Sequence, residues 1–114
     1  MAKQDKNLGE FEQLILLAIL RTNNNSYGAE ISDTIEQFGK RDTNFGALYT
    51  TLSRLEQKGL VVSEVGESTA KRGGRAKKYF KVTAIGQSAV KRSVNTVLNM
   101  SKGLDNIFDQ TAGA

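Results

Sequence analysis

The chain has 114 residues, of which 39% are hydrophobic and 25% are charged, a length and composition typical of one globular domain. It contains no cysteine and no histidine, which excludes disulfides, zinc-thiolate sites, histidine ligands and catalytic triads with a histidine base. The net charge of +4 is unevenly spread, because residues 1–68 carry 7 basic and 10 acidic side chains whereas residues 69–114 carry 9 and 2. The basic second part predicts an acidic partner.

The longest apolar run, Leu14–Leu20, has seven residues, whereas a membrane-spanning helix needs about 20. No segment has the pattern of a signal peptide, so we expect a cytoplasmic protein without membrane contact. A helix lying on an anionic membrane would have bulky apolar residues opposite its cations, but the cations here cluster around Gly73 and Gly74. Nucleic acid is therefore the first candidate for the acidic partner.

The first predicted helix covers residues 8–21, LGEFEQLILLAILR, and is apolar on nearly all sides. Such a helix must be covered on nearly all sides. In so small a domain we expect one face in the core of the chain and another, with Leu14 and Leu17, against a second copy of it.

Two amphipathic helices are predicted next. The second runs from Ser26, as its N-cap, to about Phe38. The third starts at Thr43 or Asn44, runs to Lys58 and is ended by Gly59. Three leucines at spacing i, i+4, i+7 define its inward face: Leu48, Leu52 and Leu55. The opposite face has only small or polar side chains and no carboxylate: Gly46, Thr50, Ser53 and Gln57.

The periodicity then changes from 3.6 to 2. Residues 60–65, LVVSEV, and residues 78–83, KYFKVT, predict two strands of a hairpin whose connection, residues 66–77, is polar and basic. Thr83 is placed to cap a last helix from Ala84 to about Gln110. Its heptad-like apolar seam predicts dimerisation, and the alternative is packing against its own domain. The seam consists of Val90, Val94, Val97, Leu104 and Phe108.

This order of elements, α-α-α-β-β-α, predicts a mainly α fold of the winged helix-turn-helix class. Residues 1–83 form the DNA-binding domain and residues 84–114 the dimerisation helix in this interpretation. The third helix would enter the major groove and the basic hairpin, the wing, would contact the neighbouring backbone.

The candidate DNA contacts fall into three groups. The third helix contributes Asn44, Ala47, Tyr49, Thr50, Thr51 and Arg54. The wing contributes Lys71, Arg72, Arg75, Lys77 and Lys78. The start of the second helix contributes Ser26, Tyr27 and Gly28, where backbone N–H groups can meet a phosphate. Alternative roles stay open for three of these residues: core packing for Tyr49, simple capping for Ser26 and phosphate contact alone for Arg54.

Three stretches resemble the PadR family of bacterial transcriptional regulators: YGAEISDTIE, FGALYTTLSRLEQKGLVVSE and GGRAKKYFKVTAIGQ. The resemblance covers about residues 15–87 and is most specific at Leu48-Tyr49, residues 52–56, Gly59-Leu60 and residues 79–86. It is closest to the smaller subfamily, which has a single C-terminal helix. It implies a homodimeric repressor that binds an inverted-repeat operator and is released by a small-molecule ligand.

The sequence departs from the family at two places. Thr50 stands where the family often has proline after the Leu-Tyr pair. The middle of the last helix offers Val94, Val97 and Leu98, whereas relatives that bind flat aromatic compounds commonly have aromatic residues there. The sequence therefore gives no support to a drug-binding pore.

Other functions have weaker support. The GGR segment matches neither phosphate-binding glycine motif, and no pair of acids has an apolar setting suited to catalysis. We therefore predict no enzyme, no metal site and no cofactor. A winged-helix module that docks a partner protein through its hydrophobic first and last helices is the main alternative, and unspecific RNA binding is disfavoured because Tyr79 is the one aromatic residue expected to be exposed on the ribbon.

Overall fold

The computed structural model describes residues 7–66 and 76–112. It contains the predicted order of three helices, a hairpin and a C-terminal helical segment, with an additional short strand before the second helix and a break in the last. The elements are α1 (Glu10–Arg21), β1 (Ser26–Tyr27), α2 (Gly28–Gly39), α3 (Phe45–Gln57), β2 (Val61–Val65), β3 (Lys78–Val82), α4 (Ala84–Ser101) and α5 (Asp105–Ala112). The mainly α winged-helix fold is confirmed.

Helix α1 is the centre of the core. It packs against α2, α3, α4 and β3, and Ile15, Leu16 and Ile19 are fully buried. The three inward leucines of α3 are also fully buried, as their spacing predicts. Leu14 and Leu17 of α1 are only half-buried, so part of the apolar surface of this helix is left at the edge of the domain.

The sheet has three antiparallel strands in the order β1-β3-β2, where the sequence predicted two. Ser26 lies in β1, pairs with Phe80 and is fully buried, with its hydroxyl 2.6 Å from that of Thr22. Helix α2 begins two residues later, with Tyr27 as its N-cap. The prediction that Ser26 caps α2 is therefore wrong, because pairing with β3 holds it in a strand.

Side-chain hydrogen bonds attach the end of β3 to the helical core. The Asn24 side-chain oxygen accepts from the backbone N–H of Val82 at 2.7 Å, and its amide group donates to the carbonyl of Val82 at 3.2 Å. The Thr83 hydroxyl donates to the carbonyl of Gly59 at 2.8 Å and accepts from the N–H of Gly86 at 3.0 Å. Thr83 thus caps α4, as predicted, and also joins it to the end of α3.

The predicted unbroken last helix is wrong. Helix α4 ends at Ser101, whose hydroxyl donates to the carbonyl of Leu98, and a turn leads to α5. Gly103 in this turn has φ +84°, in the left-handed region that favours glycine. Within residues 7–66 and 76–112, no helix is both long and apolar enough to cross a membrane.

Candidate nucleic-acid interface

The outward face of α3 is the most promising surface for contact with DNA. Every residue of the predicted outward face is exposed, and so are Ala47 and Arg54 beside it. Asn44 is exposed as well, but its side-chain oxygen accepts from the backbone N–H of Ala47 at 2.9 Å, so it caps the helix as predicted. The only acid of α3, Glu56, is partly buried and accepts from the Ser63 hydroxyl at 2.7 Å, so it points away from the outward face.

Thr51 does not belong to this surface. It is 5% exposed, and its hydroxyl donates to the carbonyl of Ala47 at 2.8 Å. The reason is its position three residues after Leu48 and four before Leu55, which places it on the inward side of the helix. The prediction that Thr51 is available to read base edges is therefore wrong.

The start of α2 lies directly against Tyr49 of α3. Gly28 is buried, and a Cβ atom on it would overlap the Tyr49 hydroxyl and come within 2.5 Å of its Cζ. Packing of the Tyr49 ring thus requires glycine at this position. Tyr49 is 44% exposed, and its ring stacks on that of Phe45 at 6.4 Å between centroids. The contact places a phenol hydroxyl at the positive end of the α2 dipole.

The base of the wing packs against Tyr27, at the start of α2. Tyr27 packs edge to face against Tyr79 of β3, with 5.5 Å between ring centroids, and the Lys77 Nζ lies 4.4 Å from the Tyr27 ring centroid. Lys77 is half-buried and Lys78 is exposed. The N–H of Gly66 donates to the carbonyl of Lys77 at 2.7 Å and extends the β2–β3 pairing toward the tip.

The other three predicted wing cations lie outside the described residues: Lys71, Arg72 and Arg75. The structure describes the base of the wing. This base lies beside Tyr27 and therefore beside the start of α2. Of the five predicted wing cations, the structure describes Lys77 and Lys78.

Sequence reasoning missed an acid that contacts one cation of α3 and another directly after that helix. Glu12 of α1 is 7% exposed, accepts from the Lys58 Nζ at 2.8 Å and has its Oε2 3.7 Å from the Arg54 Nε. Burial by itself raises the pKa of Glu12, but the hydrogen bonds from Lys58 and from the N–H of Gly9 and the nearby positive charges outweigh it and hold the pKa below its ordinary value. The sequence signal that could have identified Glu12 was an acidic residue within a mostly apolar helical segment.

The residues predicted for dimerisation differ in how far their side chains are exposed. Val90 is 3% exposed and belongs to the core of its own chain, so its assignment to a dimer surface is wrong. Val97 and Phe108 are more than half exposed. The remaining four are half-buried: Leu14, Leu17, Val94 and Leu104. Four further apolar side chains of α4 and α5 are more than half exposed: Ile85, Leu98, Met100 and Ile107.

An open groove of about 570 Å³ runs between α1 and α4 and is lined by Leu17, Leu20 and Val94, among others. It continues the apolar surface of α4. In the part of the chain that the structure describes, no group of three or more acidic side chains is arranged to hold a metal ion.

Together, the fold and this surface define a winged-helix protein of the helix-turn-helix class. The model of the transcriptional regulator PadR-like family matches residues 16–92. The chain therefore belongs to the PadR-like family of transcriptional regulators. No curated protein matches it.

Several solved structures are similar to it. A transcriptional regulator from Clostridium thermocellum is 26% identical, with 83% of this chain and 89% of that chain covered and a TM-score of 0.66. A PadR-like transcription factor from Bacteroides fragilis is 26% identical, with 85% and 88% covered and a TM-score of 0.68. A PadR-like transcriptional regulator from Bacillus cereus is 22% identical, with 86% and 90% covered and a TM-score of 0.69, and supports the fold alone.

The contact between α2 and α3 yields a prediction on stability. Gly28→Ala should lower the free energy of unfolding by about 1–3 kcal/mol, because the added methyl group displaces the Tyr49 ring, although alanine is ordinarily favoured over glycine in a helix. Urea unfolding of Gly28→Ala, Tyr49→Ala and the double variant measures the coupling. The methyl group should cost nothing once the ring is removed. An equal loss in both backgrounds would show that the Tyr49 contact is not the cause.

Proposed function

We propose that this chain regulates transcription by binding double-stranded DNA as a homodimer, with α3 in the major groove and the wing on the adjacent backbone. The observation that carries the proposal is the exposed face of α3, which has no carboxylate. A helix lying between two rows of phosphates cannot present acids outward. Membership of a family of transcriptional regulators supports the same role.

The surface divides into positions for bases and positions for phosphates. Ala47, Thr50 and Arg54 are exposed on α3 and would meet base edges, since the recognition helix carries the sequence-reading side chains. The Tyr49 hydroxyl, the first turn of α2 and the base of the wing at Lys77 lie beside this face and would contact the backbone. The proposal includes Lys71, Arg72 and Arg75 at the wing tip as further phosphate contacts.

A homodimer would cover the apolar surface of α4 and α5. Val97, Leu98, Met100 and Phe108 are each more than half exposed, a concentration that favours burial against another protein. A second copy is the simplest partner, because two-fold symmetry would present two α3 helices to two half-sites of an inverted repeat.

Repression is the regulatory outcome we propose, since a dimer bound across an operator blocks access of polymerase to the promoter. The protein would act in the cytoplasm, where the DNA of a bacterial cell lies. The resemblance to the family also implies a small-molecule effector, which would weaken operator binding by changing the spacing of the α3 helices.

The wing can be tested through the salt dependence of binding. Replacing Arg72, Arg75 and Lys77 with alanine should weaken binding to operator and unrelated duplexes alike and reduce the slope of log affinity against log salt concentration by about three. Fluorescence anisotropy titrations at several salt concentrations, with an operator found by selection from a random duplex library, measure both effects.

The matched control replaces Lys91, Arg92 and Lys102 with alanine, which removes the same charge from α4 and the turn after it. If both triple variants lost the same affinity and slope, overall charge rather than the wing would explain binding. If the wild type shifted no duplex at low salt and instead formed a stable complex with another protein, the alternative of a protein-binding module would be favoured.

The dimer surface gives a separate prediction. Val97→Asp, which places a charge in the exposed apolar part of α4, should convert the dimer to a monomer and weaken operator binding about a hundredfold, because the second half-site is no longer bound by the same particle. Asn99→Asp adds the same charge at an exposed polar position two residues away and should leave the dimer intact. Sedimentation velocity distinguishes the species, and a dimeric Val97→Asp variant would contradict this surface.

A further inference from the structure

The contact between Glu12 and Arg54 joins the first helix to the candidate interface. Glu12 lies on α1 and is almost completely buried. Its Oε1 accepts from the N–H of Gly9 at 2.8 Å, and its Oε2 accepts from the Lys58 Nζ at 2.8 Å. Both carboxylate oxygens are thus held, so the position of the charge is fixed relative to α3.

Arg54 approaches this fixed charge through its Nε atom. Its Nε is 3.7 Å from the Glu12 Oε2, and the side chain is 52% exposed. Its two terminal Nη atoms make no hydrogen bond within residues 7–66 and 76–112. Those two nitrogens are the pair that binds a guanine edge or a phosphate in two parallel hydrogen bonds.

The distances indicate that Glu12 restrains Arg54 rather than withholding it from DNA. Lys58 makes the short hydrogen bond and neutralises the carboxylate, whereas the separation of 3.7 Å from Arg54 is an ion pair without a hydrogen bond. A long flexible side chain loses conformational entropy when it binds. A weak contact at Nε reduces that loss and, among the described residues, leaves the terminal nitrogens without a hydrogen bond.

We propose that Glu12 is a specificity-determining positioning residue, which holds Arg54 so that its terminal nitrogens contact a base edge in the operator. The proposal rests on the proposed function, because it needs sequence-specific binding through α3. Glu12 itself touches no DNA, and it acts only through Arg54. Lys58 has a supporting part, since it prevents the carboxylate from drawing the guanidinium into a full ion pair.

The test compares the dissociation constants of each variant for the selected operator and for a scrambled duplex of equal length. Glu12→Gln should reduce the ratio of the two affinities about three- to tenfold, part of the discrimination that a base-contacting arginine supplies. Arg54→Met should reduce it at least as much. In the Arg54→Met background, Glu12→Gln should have no further effect on the ratio.

Glu10→Gln is the matched control. It removes the same charge from the same helix, but Glu10 is exposed and pairs with Arg41 rather than with α3. It should leave the ratio unchanged while strengthening binding to both duplexes slightly, as any lost negative charge does. Circular dichroism confirms that each variant is folded.

If Glu12→Gln does not fold, Lys58→Met tests the same contact, because the unpaired carboxylate would then draw Arg54 toward α1 and again lower the ratio. Equal changes in the ratio from Glu12→Gln and Glu10→Gln, or a Glu12→Gln effect that persists without Arg54, would overturn the proposal while leaving the proposed function intact. A Lys58→Met variant with an unchanged ratio of operator to scrambled-duplex affinity would also overturn the proposal and leave the proposed function intact. A wild type that binds both duplexes equally would instead overturn the proposed function.

Discussion

The pairing of β3 with strands on both sides determines where every part of the candidate interface lies. Phe80, at the middle of β3, is 2% exposed and pairs with Ser26 on one side and Ser63 on the other. Strand β1 leads directly into α2, and β2 follows α3 after three residues. The start of α2, the end of α3 and the wing are thus joined through one strand. Because Asn24 also binds both backbone groups of Val82, a change in the register of β3 would displace all three.

Features set by local sequence were predictable, and those set by distant partners were not. The caps Asn44 and Thr83 predicted where α3 and α4 begin, and the leucine spacing predicted the inward face of α3. Strand β1 has only two residues and forms because β3, more than fifty residues later, is available to pair with it. The break at Gly103 was overlooked because a single glycine is often tolerated within a helical pattern. Of the candidate site, the sequence predicted the acid-free face of α3 but not which flanking residues are buried.

The distribution of charge has a structural explanation. The acids of the first 68 residues include Glu10 and Glu12, which contact cations near and within α3, and Glu56, which hydrogen-bonds within the fold. These carboxylates are directed to partners inside the domain, away from the outward face of α3. The described cations that follow residue 68 lie mostly on β3 and α4, at Lys78, Lys81, Lys91 and Arg92. This arrangement supports binding of a polyanion while the core keeps its own ion pairs.

Dimethyl sulfate footprinting of the complex with a selected operator tests most directly whether two α3 helices read DNA in the major groove. Methylation occurs at guanine N7, which lies in that groove. The account predicts two clusters of protected guanines related by two-fold symmetry, with centres about one helical turn, or a whole number of turns, apart. Protection confined to one cluster would contradict the dimer, and binding without any protected guanine in a guanine-containing half-site would contradict the placement of α3.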